Sequence, residues 1–299
     1  MEASSEFLSK RLFRLGDSLR IGGRDEKAAA CYSRVMRLAL RFLLPLLLAI
    51  SAPAQAWGPQ GHEIAARIAA DNLTPSARMR ISQILGGDAL SLMVLDSNWA
   101  DEVRNDRPQT TGWHYVNIEI GARGYDRRRD CPRDNCVVRQ IELDIGLLRD
   151  PRASRAARLD AFRYLIHFVA DLHQPLHAAD RHDKGGNSVT VIEGRRRSNL
   201  HRVWDQEVVA ALGPDSMQVA ADIEKSVSPA ARAAMMGGTP TDWANESFQI
   251  ASREIYGRLP TYGSVRLPRD YAQRVQPVVR QQLLRAGLRL AGILNTIYR

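Results

Sequence analysis

Apolar positions recur at helical spacing along most of the chain. An alanine-rich amphipathic pattern runs from the opening Trp57-Gly-Pro-Gln-Gly-His62 to about Asn72. Thr74-Pro75 then supplies an N-cap and an N1 proline for a second helix, which stops at Gly86-Gly87. A third helical pattern passes through Ser97 to Arg104, and others cover Val137 to Leu148 and Ser154 to His173. In the last of these Phe162, Leu165, Ile166 and Val169 form the apolar face. Gly112 to Ile120 alternates and is β-branched, so it reads as extended, and Ser188 to Glu193 reads as one short strand. Between them lie an arginine-rich polar loop from about Gly121 to Cys136 and a second loop from Ala178 to Asn187. Beyond residue 198, helix is expected over Asn199 to Leu212 and over Asp215 to Met236 with a break near Pro229. A further helix, capped by Thr241, should end near Gly257, and a final one spans Tyr271 to Tyr298 around Pro277. The pattern predicts an all-α fold: one mostly helical domain, residues 57–299, with at most a short β-hairpin.

The N-terminal pattern is different in kind. Met36-Arg-Leu-Ala-Leu-Arg41 is a short basic stretch, Phe42 to Ile50 is apolar apart from Pro45, and Ala54-Gln-Ala56 is a small-x-small site. Together they read as a secretory signal peptide over residues 36–56, cleaved after Ala56. The apolar run is short of the roughly 20 residues that a membrane span needs, so the mature protein is expected to be exported, to the periplasm or beyond the cell, without stable membrane association. Residues 1–35 are polar, charged and unpatterned, longer than the basic region of a signal peptide, and read as a non-native upstream extension ahead of Met36.

Composition changes this picture little. The chain is 44% hydrophobic and 25% charged, which is globular. Its net charge of +9 is compatible with an anionic substrate but does not specify one. Of its 3 cysteines, Cys31 lies in the discarded part. Cys131 and Cys136, close together in an exported protein, read as one small disulfide rather than two free thiols.

Chemistry concentrates in His167-Phe-Val-Ala-Asp171-Leu-His-Gln-Pro-Leu-His177. On a helix His167 and Asp171 share a face. Pro175 ends that helix, leaving His177 free to turn back toward the same point. His201 and Asp205 repeat the spacing. Imidazole with carboxylate suits zinc, and two such pairs with an extra histidine suggest more than one metal.

The motifs together resemble the secreted zinc-dependent single-strand-specific nucleases of the S1/P1 type. They are Trp57 with His62, Trp99-Ala-Asp101 with Arg104, Trp113-His114-Tyr115, the His167–His177 stretch, Gly185-Gly186-Asn187, and Asn199-Leu-His201-Arg-Val-Trp-Asp205. The resemblance implies a helical trinuclear zinc fold that holds three Zn²⁺. The first ion would take Asp101, His114, His167 and Asp171. The second would take His177, His201 and Asp205. The third would take the α-amino nitrogen and carbonyl of Trp57, together with His62 and Asp171. The Cys131–Cys136 pair falls where family members carry a small disulfide. His173 and His182 are left outside these sets.

The resemblance further implies a monomeric enzyme. Its substrates are single-stranded DNA and RNA, and nucleotides through a 3′-nucleotidase activity. A zinc-bound hydroxide would cleave the P–O3′ bond and leave 5′-phosphates. Asp101 would hold a metal and orient the nucleophile, and Arg104 would stabilise the transition state. Tyr115 is the candidate base platform, with Asn117, where relatives often carry a carboxylate, and Asn187 as further substrate contacts. A zinc phospholipase C is the near rival, but its last ligand is typically glutamate and its first histidine lies further from the N-terminal tryptophan. A non-catalytic zinc-binding protein is the second rival, and it has no need of Arg104. N-terminal sequencing of the exported protein should read Trp57-Gly58-Pro59; a start upstream of Met36 would overturn the leader assignment.

Overall fold

The computed structural model describes residues 57–193, 196–260 and 263–299. The upstream extension and signal peptide expected over residues 1–56 lie outside the described residues. Helix α1 (Pro59–Asp71) opens on Pro59 at N1. Helix α2 (Pro75–Leu85) is capped by the Thr74 hydroxyl, which accepts from Ala77 N, and closed by Gly86 in the left-handed conformation. An eight-residue helix α3 (Ala89–Asp96) follows, which the apolar pattern alone did not mark; Asp88 caps it by accepting from Ser91 N. Then come α4 (Trp99–Glu102), a 3₁₀ turn Val103–Asn105 and a 3₁₀ helix Pro108–His114.

The expected extended segment is therefore shorter than Gly112 to Ile120, because its first three residues finish the 3₁₀ helix. From His114 to Glu119 burial does alternate, with His114, Val116 and Ile118 inside and Tyr115, Asn117 and Glu119 outside. Its hydrogen bonds go to 177–180: Val116 N donates to His177 O at 2.8 Å and Ile120 N to Asp180 O at 2.9 Å. The arginine-rich loop also contains structure, a one-turn helix α5 (Arg127–Asp130) and a 3₁₀ turn Pro132–Asp134. A Cys131–Cys136 disulfide closes it. The next residue, Val137, donates its N–H to Tyr115 O at 3.0 Å, so the bridge anchors the extended segment.

Helix α6 (Val137–Arg149) packs along α7 (Arg155–Leu172). The second half of α7 is buried on every face from Tyr164 to Leu172. A short hairpin, β1 (Thr190–Glu193) with β2 (Arg196–Asn199), leads into α8 (Leu200–Arg202), a π-helical stretch Val203–Glu207 and α9 (Val208–Ala210). A two-residue strand β3 (Val265–Arg266) pairs in parallel with β1, so the sheet has one strand more than the hairpin expected. Helices α10 (Ser216–Lys225) and α11 (Pro229–Met235) divide at Pro229. For α12 (Pro240–Ile250) the cap is Thr239 in a capping box with Asp242, not Thr241, because Pro240 fits only the first helical turn. The last helix, α13 (Tyr271–Ile297), accommodates Pro277 within its second turn and packs on both α1 and α7.

The approach of α13 to α1 is close enough to require glycine. A Cβ on Gly287 would lie 2.6 Å from the Ile68 side chain and 2.7 Å from Ala65 O. Overpacking of this kind costs about 1–3 kcal/mol, and alanine's better helix propensity offsets up to about 1 kcal/mol of it. Gly287→Ala should therefore lower the denaturant midpoint of unfolding, and an unchanged or raised midpoint would show that these helices separate freely.

Candidate metal centre

Several elements converge here. Helix α7 supplies His167 and Asp171, both fully buried. Asp171 Oδ2 lies 3.3 Å from His167 Nε2 and 3.0 Å from His114 Nδ1, while its other oxygen, Oδ1, lies 3.4 Å from His62 Nε2 on α1. Asp101 on α4 places Oδ1 3.6 Å from His114 Nδ1 and 3.8 Å from His167 Nε2. The His62 and His167 rings stack at 3.9 Å. On the far side of the extended segment, His177 Nε2 and His201 Nε2 stand 3.0 Å apart, with Asp205 Oδ2 3.5 Å from the latter. Three groups of potential ligands result among the described residues: His62, Asp101 and His167; His114, His167 and Asp171; His177, His201 and Asp205.

Local structure explains how one segment reaches two groups. Helix α7 ends at Leu172, and Gln174-Pro175 starts a 3₁₀ turn, Pro175–His177. Proline is suited to the first position of such a turn, where no N–H is needed. His201 and Asp205 sit four apart across the junction of α8 with the π-helical stretch.

Backbone carbonyls fix most of the imidazoles. Nδ1 of His167 lies 2.8 Å from Ser97 O, that of His177 2.8 Å from His114 O, and that of His201 2.7 Å from Gly185 O. A carbonyl only accepts, so each Nδ1 carries the hydrogen and each Nε2 of a neutral ring presents a lone pair. Gly185 itself has φ +60, and a Cβ there would lie 2.5 Å from Leu176 O. Only glycine brings that carbonyl onto His201.

The charge state follows from burial. Burial, with the neighbouring His201, pushes His177 down to about 3, and burial lowers His201 as well. Both rings are therefore neutral, and two bare lone pairs face each other at 3.0 Å beside a carboxylate. Burial also raises Asp205 well above the carboxylate range; a cation between the two imidazoles would satisfy both lone pairs and hold Asp205 ionised. His62 is held well below its ordinary value by burial and by His167. In the other direction, burial is outweighed at His167 by Asp171 and Asp101, which raise it to about 9. Burial opposes ionisation of Asp171 as well, but His167 and hydrogen bonds hold it well below the carboxylate range. Both nitrogens of His62, Oδ1 of Asp101, Nε2 of His114 and Oδ1 of Asp171 are buried without a hydrogen-bond partner. Buried polar atoms left in this way are costly, and metal ligation would account for them.

The remaining sequence candidates are placed as follows. Trp57 is fully buried, and the adjoining Gly58 N donates to Asp205 O at 2.7 Å. Arg104 is buried, with NH1 3.6 Å from Asp101 Oδ1. Tyr115, 37% exposed, is one of the few large apolar side chains open to solvent, and it adjoins His114. Asn117 is also exposed. Asn187 donates its side-chain amide to Lys184 O at 2.9 Å, so that donor serves its own loop. His182 is an exposed loop residue at 3.0 Å from Glu119. His173 turns away from the centre: Nδ1 meets Val169 O at 2.7 Å and Nε2 accepts from Arg289 at 2.8 Å. Ser97, Gln174 and Arg289 carry no role in the sequence reading, and Gly185 enters it only within the Gly185-Gly186-Asn187 motif, not as the carbonyl that accepts from His201. Two act through backbone carbonyls, which leave no trace in residue type; Gln174 lay in plain view between Asp171 and His177.

A helical domain with three buried histidine–carboxylate groups has the ligand inventory of a multinuclear metallohydrolase. The chain belongs to the S1/P1 nuclease family, whose model matches residues 57–299. It is therefore a hydrolase acting on phosphodiester bonds. It is similar to Endonuclease 2 of Arabidopsis thaliana, 28% identical over 81% of this chain and 90% of that protein. Nuclease S1 of Aspergillus oryzae is 28% identical over 85% and 97% of the two chains. Nuclease P1 of Penicillium citrinum is 30% identical over 50% and 57%.

The His173–Arg289 contact has a consequence for pH. Burial and the Arg289 charge hold His173 down to about 3, against about 6.5 in an unfolded chain. Between those values the unfolded state binds the extra proton, so this residue's contribution is intact above pH 6.5 and is lost as pH falls toward 3. In EDTA, the stability advantage of the wild type over His173→Gln should shrink steadily as pH falls from 6 to 4. A difference that stays constant with pH would refute the assignment.

Proposed function

We propose that the three groups hold three zinc ions and that the protein hydrolyses single-stranded DNA and RNA to 5′-phosphate products, with 3′-nucleotidase activity. The observation that carries this reading is the pair of neutral imidazoles facing each other at 3.0 Å beside Asp205, together with the buried polar atoms left unpartnered around Asp171. Asp171 is suited to bridging, because its two oxygens face different histidines. In this reading the first ion takes Asp101, His114, His167 and Asp171. The second takes His177, His201 and Asp205, and the third takes His62, Asp171 and the amine and carbonyl of Trp57.

Zinc, when bound, supplies Lewis acidity that makes hydroxide available at neutral pH and offsets charge on a phosphate. The chain's own residues do the rest. Asp101 Oδ1 lies on the boundary between the ligand groups and the Arg104 guanidinium, where it accepts a proton-bearing nucleophile's hydrogen bond and aims it. Arg104 presents a planar donor fork to the oxygens of a phosphoryl group as charge builds on them. Tyr115 offers a face on which an unpaired base stacks, with Asn117 beside it for the base edge; a paired base would first have to leave its duplex. That difference supports single-strand preference.

We further assign residues 36–56 as an export signal and 57–299 as the mature enzyme, acting as a monomer outside the cytosol. No described helix is long and apolar enough to cross a membrane. Removing residue 56 converts the Trp57 nitrogen from amide to amine, which is the form able to ligate.

Arg104→Ala should lower kcat on single-stranded DNA by about 100- to 1,000-fold, while metal analysis still finds three zinc ions per chain. Full activity in this variant would remove Arg104 from the mechanism. Cleavage of phosphatidylcholine in place of DNA by the wild type would overturn the substrate assignment.

A further inference from the structure

We propose that Gln174 is a positioning residue for the His177, His201 and Asp205 group, selecting which oxygen of Asp205 meets the metal and tying that carboxylate to the turn that carries His177. The inference rests on the ligand reading above but concerns a residue that binds neither metal nor substrate.

Gln174 is fully buried, and both ends of its amide are committed. Nε2 donates to Asp205 Oδ1 at 2.6 Å. Oε1 accepts from Leu176 N at 2.7 Å. The orientation is not interchangeable. A flipped amide would set its NH₂ against the Leu176 N–H and its carbonyl oxygen against the Asp205 carboxylate, two repulsive contacts in place of two bonds. The backbone donor at Leu176 therefore dictates that a donor faces Asp205.

The consequences follow from position. With Oδ1 engaged by Gln174, Asp205 offers Oδ2, the oxygen on the His201 side at 3.5 Å. The carboxylate is thus aimed as a single-oxygen ligand instead of rotating freely. The same amide caps the 3₁₀ turn Pro175–His177, so His177 and Asp205 are held in one frame although they are distant in sequence. The frame continues: His177 Nδ1 is fixed by His114 O, and His201 Nδ1 by Gly185 O. Asp205 has no backbone partner for its side chain among the hydrogen bonds described, and Gln174 fills that role. Outer partners of this kind typically govern metal affinity by about 10- to 100-fold.

The test is zinc binding itself, measured by chelator competition on the mature chain, with zinc-free melting in EDTA alongside. Wild type should bind three zinc ions; fewer would overturn the trinuclear reading and is recognised before any variant is made. Gln174→Met, of similar length but without the amide, should weaken one ion about 10- to 100-fold, leaving the others at wild-type affinity. The weakened ion should be the one abolished by His201→Ala. Gln174→Asn, too short to make both bonds, should weaken the same ion and serves if the methionine variant does not fold. Unchanged affinity for that ion, or equal weakening of every ion in step with a lower zinc-free melting temperature, would overturn the proposal.

Discussion

The Asp171 carboxylate is the constraint around which the rest is arranged. It is fully buried near the end of a helix that is itself buried on every face. An isolated charge in such a place would cost far more than a domain's net stability, so it must be compensated. Within the protein the compensation comes from His114 at the end of a 3₁₀ helix and His167 on α7, while His62 on α1 faces the other, unpartnered oxygen. None is close to the others in sequence. Each must therefore be delivered by the packing of its own element, and the core serves the carboxylate as much as it serves stability. The α13–α1 contact is an example. The Gly287 approach sets how deeply α1 seats, and α1 carries His62.

A second layer of constraint acts on orientation. A histidine delivered to the right place still has two ring nitrogens and two tautomers. Ser97, His114 and Gly185 contribute carbonyls that settle which nitrogen faces inward. His114 couples the groups, since its ring faces Asp171 while its carbonyl fixes His177. The extended segment that starts there is short of ladder partners because its donors are used against 177–180. What looks like a failed strand is a brace between the end of α7 and the disulfide-closed loop. Behind that end, Arg289, Gln282 and Ser247 satisfy His173 and the last carbonyls of the helix. Gln282 donates to His173 O at 3.0 Å, so α13 supports both the N-terminal and the central ligand-bearing helices.

Where residue type alone determines the outcome, the sequence was legible. Thr74-Pro75 and Gly86 bound α2 because capping is local chemistry, and the His167–Asp171 spacing put both on one helix face. The alternation from His114 to Glu119 predicted which side chains point inward, though not that its backbone would pair with residues 177–180, since pairing depends on what lies opposite. Thr241 reads as the cap of α12 from its place before the apolar pattern, but Pro240 at N1 makes Thr239 the cap instead. Helix α3 was missed because eight mostly apolar residues carry no clear period. The hydrogen bonds from ligand histidines to carbonyls could not be read at all, because every residue has a carbonyl. Gln174 was readable only as an unexplained amide; its meaning depends on Asp205 arriving opposite it from another helix.

The N-terminal edge of the domain shows how placement and chemistry separate. Trp57 is buried, and Gly58 donates to the backbone of Asp205. Packing buries Trp57; in the proposed reading, cleavage after residue 56 would change only the chemistry of its nitrogen. An amide nitrogen shares its lone pair with the adjoining carbonyl and is a poor ligand, whereas an amine with a pKa near 8 gives up its proton readily. Under the proposed ligand set, the site is thus shaped in advance and completed by one covalent event. The step that frees the chain from its signal and the step that completes the centre are then the same bond cleavage.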